Sequence, residues 1–283
     1  MVPPSSIEMI GGARRTVVVT GASSGIGLAC ALRLAAAGWR VYGGVRARED
    51  GEALRGRGIE PLELDVTNAE QIAGAAEVVG GRLDGLVDNA GIAIAAPLEL
   101  VPLDELRRQL EVNVVGQVAV TQAFLPALRR SRGRVVLMGS IGGRSALPFL
   151  GPYAASKHAL EAVADSLRVE LRPWGISVSI IEPASINTSI WTKGAARADE
   201  LRAALPGESE ELYSSAIAKF RKLALARGPG ADPDEVAKSV EHALTARRPR
   251  ARYLVGRDAH IRAWIERLPT RARDRLLAKL LKG

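Results

Sequence analysis

The chain has 283 residues, of which 47% are hydrophobic and 25% charged, enough for the core of one large domain or two small ones. No apolar run approaches the length that crosses a bilayer, and residues 1–13 lack the apolar core of a signal peptide. We therefore expect a flexible lead and a cytoplasmic protein. The single cysteine, Cys30, excludes an internal disulfide and a zinc site built on several cysteines.

The positive charge is concentrated towards the end of the chain. The formal net charge is +8, but residues 247–283 contain twelve Lys or Arg against three acids, so the rest of the chain is close to neutral. The basic balance therefore describes a tail and not the body of the protein. This distribution argues against nucleic-acid binding by the body, and we predict no nucleic-acid partner.

Short runs rich in β-branched residues alternate with longer Ala- and Leu-rich segments. Strands are predicted at 15–20, 40–45, 59–66, 83–91, 133–140, 176–183 and 252–256. Helices are predicted at 25–38, after the third strand to about Val79, at 102–129 with Pro126 bending or ending it, at 153–175 and 233–247, and beyond 256. Apolar strands separated by helices predict an α/β fold with a Rossmann-type doubly wound parallel sheet.

The alternation breaks after Pro183, at the end of a predicted strand, where open α/β sheets bind ligands. We interpret residues 184–230 as a helical substrate lid, with 226–233 as its far hinge. The predicted organisation is a flexible lead over 1–13, a single Rossmann domain over 14–256 that includes the lid, and an extension of basic amphipathic helices over 257–283.

A glycine-rich turn, "TGASSGIG" at 20–27, follows the first predicted strand and opens the first helix. Gly21, Gly25 and Gly27 let the backbone turn tightly and approach a pyrophosphate, while the start of the helix supplies free N–H groups and partial positive charge. A plain strand–helix turn is the alternative. The position after the first strand of an α/β chain favours dinucleotide binding.

Tyr153 and Lys157, in "YAASK", lie four residues apart and therefore share one face of a predicted helix. A phenol with the usual pKa of about 10 is a poor base at neutral pH, and a neighbouring ammonium group lowers that pKa by stabilising the phenolate. The spacing thus predicts a phenol tuned for proton transfer, provided that both side chains face one ligand. Taken alone, such a pair is usually surface packing.

Several motifs together resemble the short-chain dehydrogenase/reductase family. The glycine turn has the form T-G-x-x-x-G-x-G, "DNAG" at 88–91 corresponds to N-N-A-G, and "YAASK" corresponds to Y-x-x-x-K. Asn113 matches the helix asparagine, and Ser140 lies thirteen residues before the tyrosine, as in the family. "PASINT" at 183–188 matches P-G-x-x-x-T except at its second residue, Ala184.

These motifs occur in the family's order over about residues 14–256, and they most resemble the branch of hydroxysteroid and retinol dehydrogenases. The resemblance implies an NADP(H)- or NAD(H)-dependent oxidoreductase that interconverts alcohols and carbonyl compounds. Tyr153 would transfer the proton, Ser140 would orient the substrate oxygen, and Lys157 would bind the nicotinamide ribose. Asn113 would hold a water that links Lys157 to solvent. A non-catalytic NADP(H)-binding sensor or scaffold on the same fold is the alternative.

The resemblance also places the cofactor against a defined set of residues. These are Gly21, Ser23, Ser24, Gly25, Ile26, Gly27, Arg46, Arg48, Asp65, Val66, Asn89, Ala90, Gly91, Tyr153, Lys157, Pro183, Ile186 and Thr188. Asp65 matches the position that holds the adenine amino group. The three histidines are too far apart in sequence to suggest a metal site, so no metal is predicted.

The end of the second strand, "VYGGVR", bears on the choice of cofactor. The family's NAD-selecting acid is replaced by Val45, followed by Arg46 and shortly by Arg48. No carboxylate there repels a 2′-phosphate, and a guanidinium group pairs with one through two hydrogen bonds, so we favour NADP(H). The alternative is that Arg46 is a solvated loop charge.

The branch resemblance implies a lipophilic alcohol or ketone as the substrate. The lid residues Ile186, Ile190, Trp191, Leu212, Tyr213 and Phe220 are candidates for the walls of an apolar pocket, or for a small core of the lid itself. Residues 257–283 either lie weakly on an anionic membrane or, as we favour, pack on the domain or on a neighbouring subunit. By the family resemblance we expect a homodimer or homotetramer.

Overall fold

The computed structural model describes residues 14–203, 207–226 and 230–282, so the predicted lead over 1–13 and the middle of the predicted hinge lie outside the described residues. Seven strands form a sheet in the order β3-β2-β1-β4-β5-β6-β7, and every neighbouring pair is parallel. The strands are β1 (Thr16–Val19), β2 (Arg40–Val45), β3 (Glu60–Glu63), β4 (Gly85–Asp88), β5 (Arg134–Met138), β6 (Ser177–Pro183) and β7 (Arg252–Val255). The predicted parallel sheet is confirmed.

Helices cover both faces of the sheet. They are α1 (Gly25–Ala36), α2 (Arg48–Arg55), α3 (Ala69–Val79), α4 (Leu103–Leu110), α5 (Gly116–Ser131), α6 (Gly151–Glu170), α7 (Ser189–Ala203), α8 (Gly207–Ala226), α9 (Pro233–Thr245), α10 (Arg257–Ile265) and α11 (Thr270–Lys282). Apolar residues of α1, α2 and α9 pack on one face, and those of α3, α5 and α6 pack on the other. This is the predicted doubly wound arrangement.

The sequence of β1 is an unbroken apolar run because the strand is buried on both of its faces. Val17 and Val19 belong to the core on one face of the sheet and Val18 to the core on the other, and all three are fully buried. Successive residues of a strand point to opposite faces, so a strand covered on both sides needs an apolar side chain at every position. Each such burial contributes about 1.5–3 kcal/mol to folding.

Two helix predictions need correction. Helix α2 was not predicted, because its sequence "REDGEALR" is mostly polar and buries only Gly51 and Leu54. The segment predicted as one helix over 102–129 consists of α4, a π-helical turn at Glu111–Val115, and α5. Helix α5 also continues five residues beyond Pro126, so that proline does not end it.

The segment predicted as a lid contains α7 and α8, and the segment predicted as an extension contains α10 and α11. Helix α11 packs on α8, and α10 packs beside β7, with Ala259 fully buried. The extension therefore packs on the domain, as we favoured, although Ile261 and Trp264 remain exposed on its outer side. Within the described residues, no helix is both long and apolar enough to span a bilayer.

Candidate active site

A cleft of about 1190 Å³ lies at the carboxyl ends of the central strands. Strand β1 lies between β2 and β4, and this change in direction of the strand order is where doubly wound sheets bind ligands. Every predicted cofactor residue lines the cleft except Arg48, which is exposed in the first turn of α2. Asp50, from the same turn, lines the cleft instead and was not predicted.

The glycine turn is shaped so that backbone can come close to a ligand. Gly21 and Gly25 have positive φ angles of 63° and 55°, which side chains rarely adopt. A Cβ atom on Gly27 would lie 2.1 Å from the backbone oxygen of Gly21, so no other residue fits at that position. These three glycines make a cradle that fits the pyrophosphate of a dinucleotide at the start of α1.

The loop after β4 is fastened to the glycine turn by Thr20 and Asn89. The Thr20 hydroxyl accepts hydrogen bonds from the backbone N–H groups of Asn89 and Ala90, both at 2.9 Å. The Asn89 amide donates to the backbone oxygens of Thr20 at 2.9 Å and Gly21 at 3.2 Å. This network fixes the two loops that form the middle of the cleft.

Arg46 and Asp65 lie at the far end of the cleft, after β2 and β3. Burial opposes ionisation of Asp65, but hydrogen bonds from Thr67 at 2.9 and 2.7 Å and the nearby Arg46 charge lower its pKa overall. Asp65 is therefore a carboxylate at neutral pH. The cleft has a positive group and a hydrogen-bond acceptor where an adenosine moiety would lie.

Ser140, Tyr153 and Lys157 meet at the opposite end of the cleft. Ser140 follows β5, and its Oγ accepts a hydrogen bond from Gly142 N at 3.0 Å. Tyr153 and Lys157 lie in the first two turns of α6, where both side chains are buried. The Lys157 Nζ donates to the backbone oxygen of Met138 at 2.7 Å and lies 5.8 Å from the centre of the Tyr153 ring.

Burial dominates the pKa of the Tyr153 phenol. Burial raises the pKa of Tyr153, while the Ser140 hydroxyl and the positive charge of Arg262 lower it, and the net shift is upward. Burial also lowers the pKa of the Lys157 ammonium group to about 8. Burial of the phenol outweighs the two lowering influences, and the predicted lowering of the phenol pKa by Lys157 stays a prediction.

Asn113 is buried in the π-helical turn between α4 and α5, where Gly116 N bonds to the oxygen of Glu111. Its Oδ1 accepts from Ile92 N at 2.9 Å, and its Nδ2 donates to Ile92 O and to Ser156 Oγ, both at 3.0 Å. The side chain therefore joins the loop after β4 to α6. A π turn is often found at functional sites. The predicted water relay through Asn113 stays a prediction.

A second cavity of about 730 Å³ adjoins the cleft beneath the lid. Trp191 of α7 meets the Tyr153 ring edge-on at 5.3 Å between ring centres. Tyr213 and Phe220 of α8 both pack against Phe149, at 6.4 and 5.7 Å between ring centres. Phe149 was not predicted, because nothing in its local sequence marks it as part of a wall.

Of the six lid residues proposed as walls, four line this second cavity: Ile186, Trp191, Tyr213 and Phe220. Ile190 lines the neighbouring cleft instead. Leu212 is 71% exposed and lines neither, so its assignment as a wall was wrong. Among the described residues, no group of three or more side chains is placed to hold a metal ion.

A family model described as short chain dehydrogenase matches residues 15–199. An "NADPH-dependent 3-dehydrocapnine reductase" from Ornithobacterium rhinotracheale is 36% identical over 95% of this chain and 98% of its own. Human "17-beta-hydroxysteroid dehydrogenase type 1" is 38% identical over 85% of this chain and 77% of its own. A crystal structure of a short chain dehydrogenase/reductase from Burkholderia phymatum in complex with NAD is 25% identical, with a TM-score of 0.75 over 89% of this chain and 92% of that one.

Proposed function

Because this chain belongs to the short-chain dehydrogenase/reductase family of oxidoreductases, we propose that it uses NADP(H) to interconvert a lipophilic alcohol and its ketone or aldehyde. The family resemblance read from the motifs is confirmed by the family match and by the similarity to a hydroxysteroid dehydrogenase. The substrate class, the catalytic roles and the preference for NADP(H) are the proposal.

The proposed reaction rests on one observation about Ser140 and Tyr153. Ser140 and Tyr153 line both the dinucleotide cleft and the apolar cavity under the lid. A hydroxyl pair at this junction can hold the oxygen of a substrate that lies in the apolar cavity, and the cleft on the other side would hold the nicotinamide. The lining of the cavity by Trp191 and Phe220 supports a lipophilic substrate.

A nicotinamide held in the cleft would supply the hydride in reduction and accept it in oxidation. In reduction, Tyr153 gives its phenolic proton to the carbonyl oxygen, and in oxidation the phenolate takes the proton of the alcohol. Ser140 donates a hydrogen bond to the same oxygen and holds it against Tyr153. The raised pKa of Tyr153 keeps the phenol protonated at neutral pH, so that it holds the proton that reduction requires.

Lys157 and Asn113 support these two hydroxyls. Lys157, whose Nζ bonds to the backbone oxygen of Met138, would hold the nicotinamide ribose hydroxyls. Asn113 braces α6, which carries Tyr153, against the loop after β4 through Ser156 and Ile92. A non-catalytic sensor would not need Ser140, Tyr153 and Lys157 together at one end of the cleft.

The preference for NADP(H) rests on Arg46. Its side chain lines the cleft directly after β2, and the position that would carry an NAD-selecting acid is Val45, which is buried. A guanidinium group at this place suits a 2′-phosphate. A reductase 36% identical to this chain is named as NADPH-dependent, which supports the same choice.

Assembly and location are also proposals. We propose a homodimer or homotetramer, because α6 leaves Val169 72% exposed and the turn before α5 leaves Val115 51% exposed. A cytoplasmic location is a separate proposal. Weak contact of the extension with an anionic membrane is a further proposal, supported by exposed Ile261 and Trp264 in a basic segment.

The test is a set of alcohols and ketones, from small sugars to steroids, retinoids and acyl chains, followed by NADPH absorbance. We expect turnover with lipophilic members and its loss, by a factor of at least about 1000, in Tyr153→Phe with NADPH binding retained. Tyr42→Phe is the matched control, because Tyr42 lines neither cavity. NADPH binding with no turnover of any member would favour the sensor, and full activity of Tyr153→Phe would refute the mechanism.

A further inference from the structure

The cavity beneath α7 and α8 is lined by arginine side chains as well as by apolar ones. Its described lining includes Arg202 and Arg221 from the lid and Arg262 from α10, and no acidic residue. Arg221 is paired with Asp199 on the neighbouring lid helix. Arg262 comes from α10 and not from the lid, and it lines the cavity together with Ser140 and Tyr153.

Three observations place Arg262 in the part of the cavity that contains Ser140 and Tyr153. It lines the same cavity as Ser140 and Tyr153. Its charge is close enough to Tyr153 to lower the pKa of the phenol. Its Nη2 donates to the backbone oxygen of Ser145 at 2.6 Å, in the loop that follows Ser140.

The guanidinium group is also held in place by its helix. Arg262 lies one turn after Ala259, which is fully buried in the contact between α10 and the domain. The Ser145 bond fixes the end of the side chain, so it does not have to be ordered when a ligand binds. A partly buried, pre-positioned guanidinium group is the usual receptor for a carboxylate or a similar oxyanion.

We propose that Arg262 binds an anionic group of the substrate, so that the substrate is an acidic amphiphile with its anion a few bonds from the reacting carbon. This inference rests on the proposed function and narrows its substrate class. The apolar part of such a molecule extends towards Phe149 and Phe220, where the cavity wall is aromatic. The anion lies at the other end, beside Ser140 and Tyr153.

The probe is a matched pair, 3-hydroxydodecanoate and its methyl ester, oxidised with NADP⁺. The two differ in charge at one end and share the chain and the reacting alcohol. We expect the wild-type protein to prefer the acid by kcat/KM, and Arg262→Gln to lower kcat/KM for the acid by about 10- to 100-fold with little change for the ester. Arg262→Lys should recover part of the preference, because it keeps the charge.

Arg257→Gln is the control, because Arg257 is exposed on the same helix and lines neither cavity. Thermal unfolding and NADPH binding of each variant show whether the fold and the cleft are kept. Arg262 could instead only hold α10 to the loop that contains Ser145, or only shift the pKa of Tyr153. In either case Arg262→Gln would change kcat/KM for the acid and the ester equally, and the proposal would be overturned.

The result also separates this proposal from the reaction itself. Equal use of acid and ester by the wild-type protein overturns the role of Arg262 and leaves the oxidoreductase intact. A protein that oxidises neither probe, and no other alcohol of the wider set, overturns both. A preference for the acid that disappears in Arg262→Gln supports both.

Discussion

The Lys157 ammonium group bonds to the backbone oxygen of Met138, 2.7 Å away, and not to the Tyr153 hydroxyl one helical turn before it. The end of β5 thus holds the lysine in a buried position where its pKa falls to about 8. Its charge costs stability, because burial penalises the charged form. We infer that the protein retains this charge for its ligand.

Replacement of Lys157 by Met should separate activity from folding. Methionine has a similar length and no charge, so we expect kcat/KM to fall by at least about 100-fold while the free energy of unfolding at pH 7 stays equal or rises. Activity by NADPH absorbance and stability by urea unfolding are the two measurements. Lys238→Met is the control, because Lys238 is an exposed residue of α9 remote from the cleft. An active Lys157→Met protein would contradict the assigned role.

Stability of the wild-type protein should also rise with pH where Lys157 titrates. The folded pKa is about 8 and the unfolded value is 10.5, so the unfolded chain binds more protons between these two values. Unfolding then becomes less favourable as the pH rises from about 8 towards 10. Lys157→Met should lack this part of the rise, which urea unfolding at pH 7.5 and 9.5 can measure.

Arg46 should decide between the two dinucleotides. In Arg46→Ala we expect KM for NADPH to rise by about 10- to 100-fold and KM for NADH to change little, because only NADPH carries the 2′-phosphate. The measurement is initial rate against cofactor concentration with one fixed substrate. A similar loss with both cofactors would mean that Arg46 does not read the phosphate.

Arg48 provides an internal comparison for this prediction. The sequence suggested both arginines, but only Arg46 lines the cleft, while Arg48 is exposed in α2. Arg48→Ala should therefore leave both KM values close to wild type. Arg57→Ala, an exposed residue after α2, is the matched control for loss of one positive charge.

Gly27 and Gly74 make a matched pair for the glycine turn. Both are helical glycines, but a Cβ on Gly27 would lie 2.1 Å from the oxygen of Gly21, whereas a Cβ on Gly74 meets nothing within 4 Å. Gly27→Ala should abolish NADPH binding and lower the melting temperature. Gly74→Ala should bind normally and gain up to about 1 kcal/mol from helix propensity. Normal NADPH binding by Gly27→Ala would refute the cradle.

The sheet and the motifs were predictable because their causes are local in sequence. Val17, Val18 and Val19 must all be apolar in a strand covered on both faces, and that pattern is visible without a structure. The glycines of the turn and the pair Tyr153–Lys157 are recognised by spacing alone. These features place the cleft and most of its lining correctly.

The rest depends on packing that brings distant segments together. Arg262 lies close enough to affect the pKa of Tyr153 only because α10 folds back beside β7, and no sequence pattern links two residues more than one hundred positions apart. Phe149 becomes a cavity wall only when α8 lies over it. The Lys157 side chain points towards the backbone oxygen of Met138 at the end of β5. Every residue type has such an oxygen, so no sequence signal marks this partner.

Asp88 is a fully buried carboxyl at the end of β4, at the position where the family's motif usually has asparagine. Its Oδ2 accepts from Thr121 Oγ1 at 2.7 Å, and its Oδ1 has no hydrogen-bond partner among the described residues. Burial raises the pKa of Asp88 to about 7, with the Thr121 bond opposing the rise. The carboxyl is therefore neutral when folded at mildly acidic pH.

This raised pKa makes stability fall as the pH rises. Below 3.8 the carboxyl is protonated in both states, and the advantage of the folded, neutral form is lost as the pH rises through about 7. Between pH 5.5 and 8.5 we expect ionisation of Asp88 to lower the free energy of unfolding by about 2 kcal/mol. Asp88→Asn keeps an acceptor for Thr121 and cannot ionise, so its free energy of unfolding should exceed that of wild type by more at pH 8.5 than at pH 5.5. Urea unfolding at both pH values measures this difference, with Asp104→Asn, an exposed carboxyl of α4, as the control. Parallel pH dependence of wild type and Asp88→Asn would show that Asp88 does not titrate in this range.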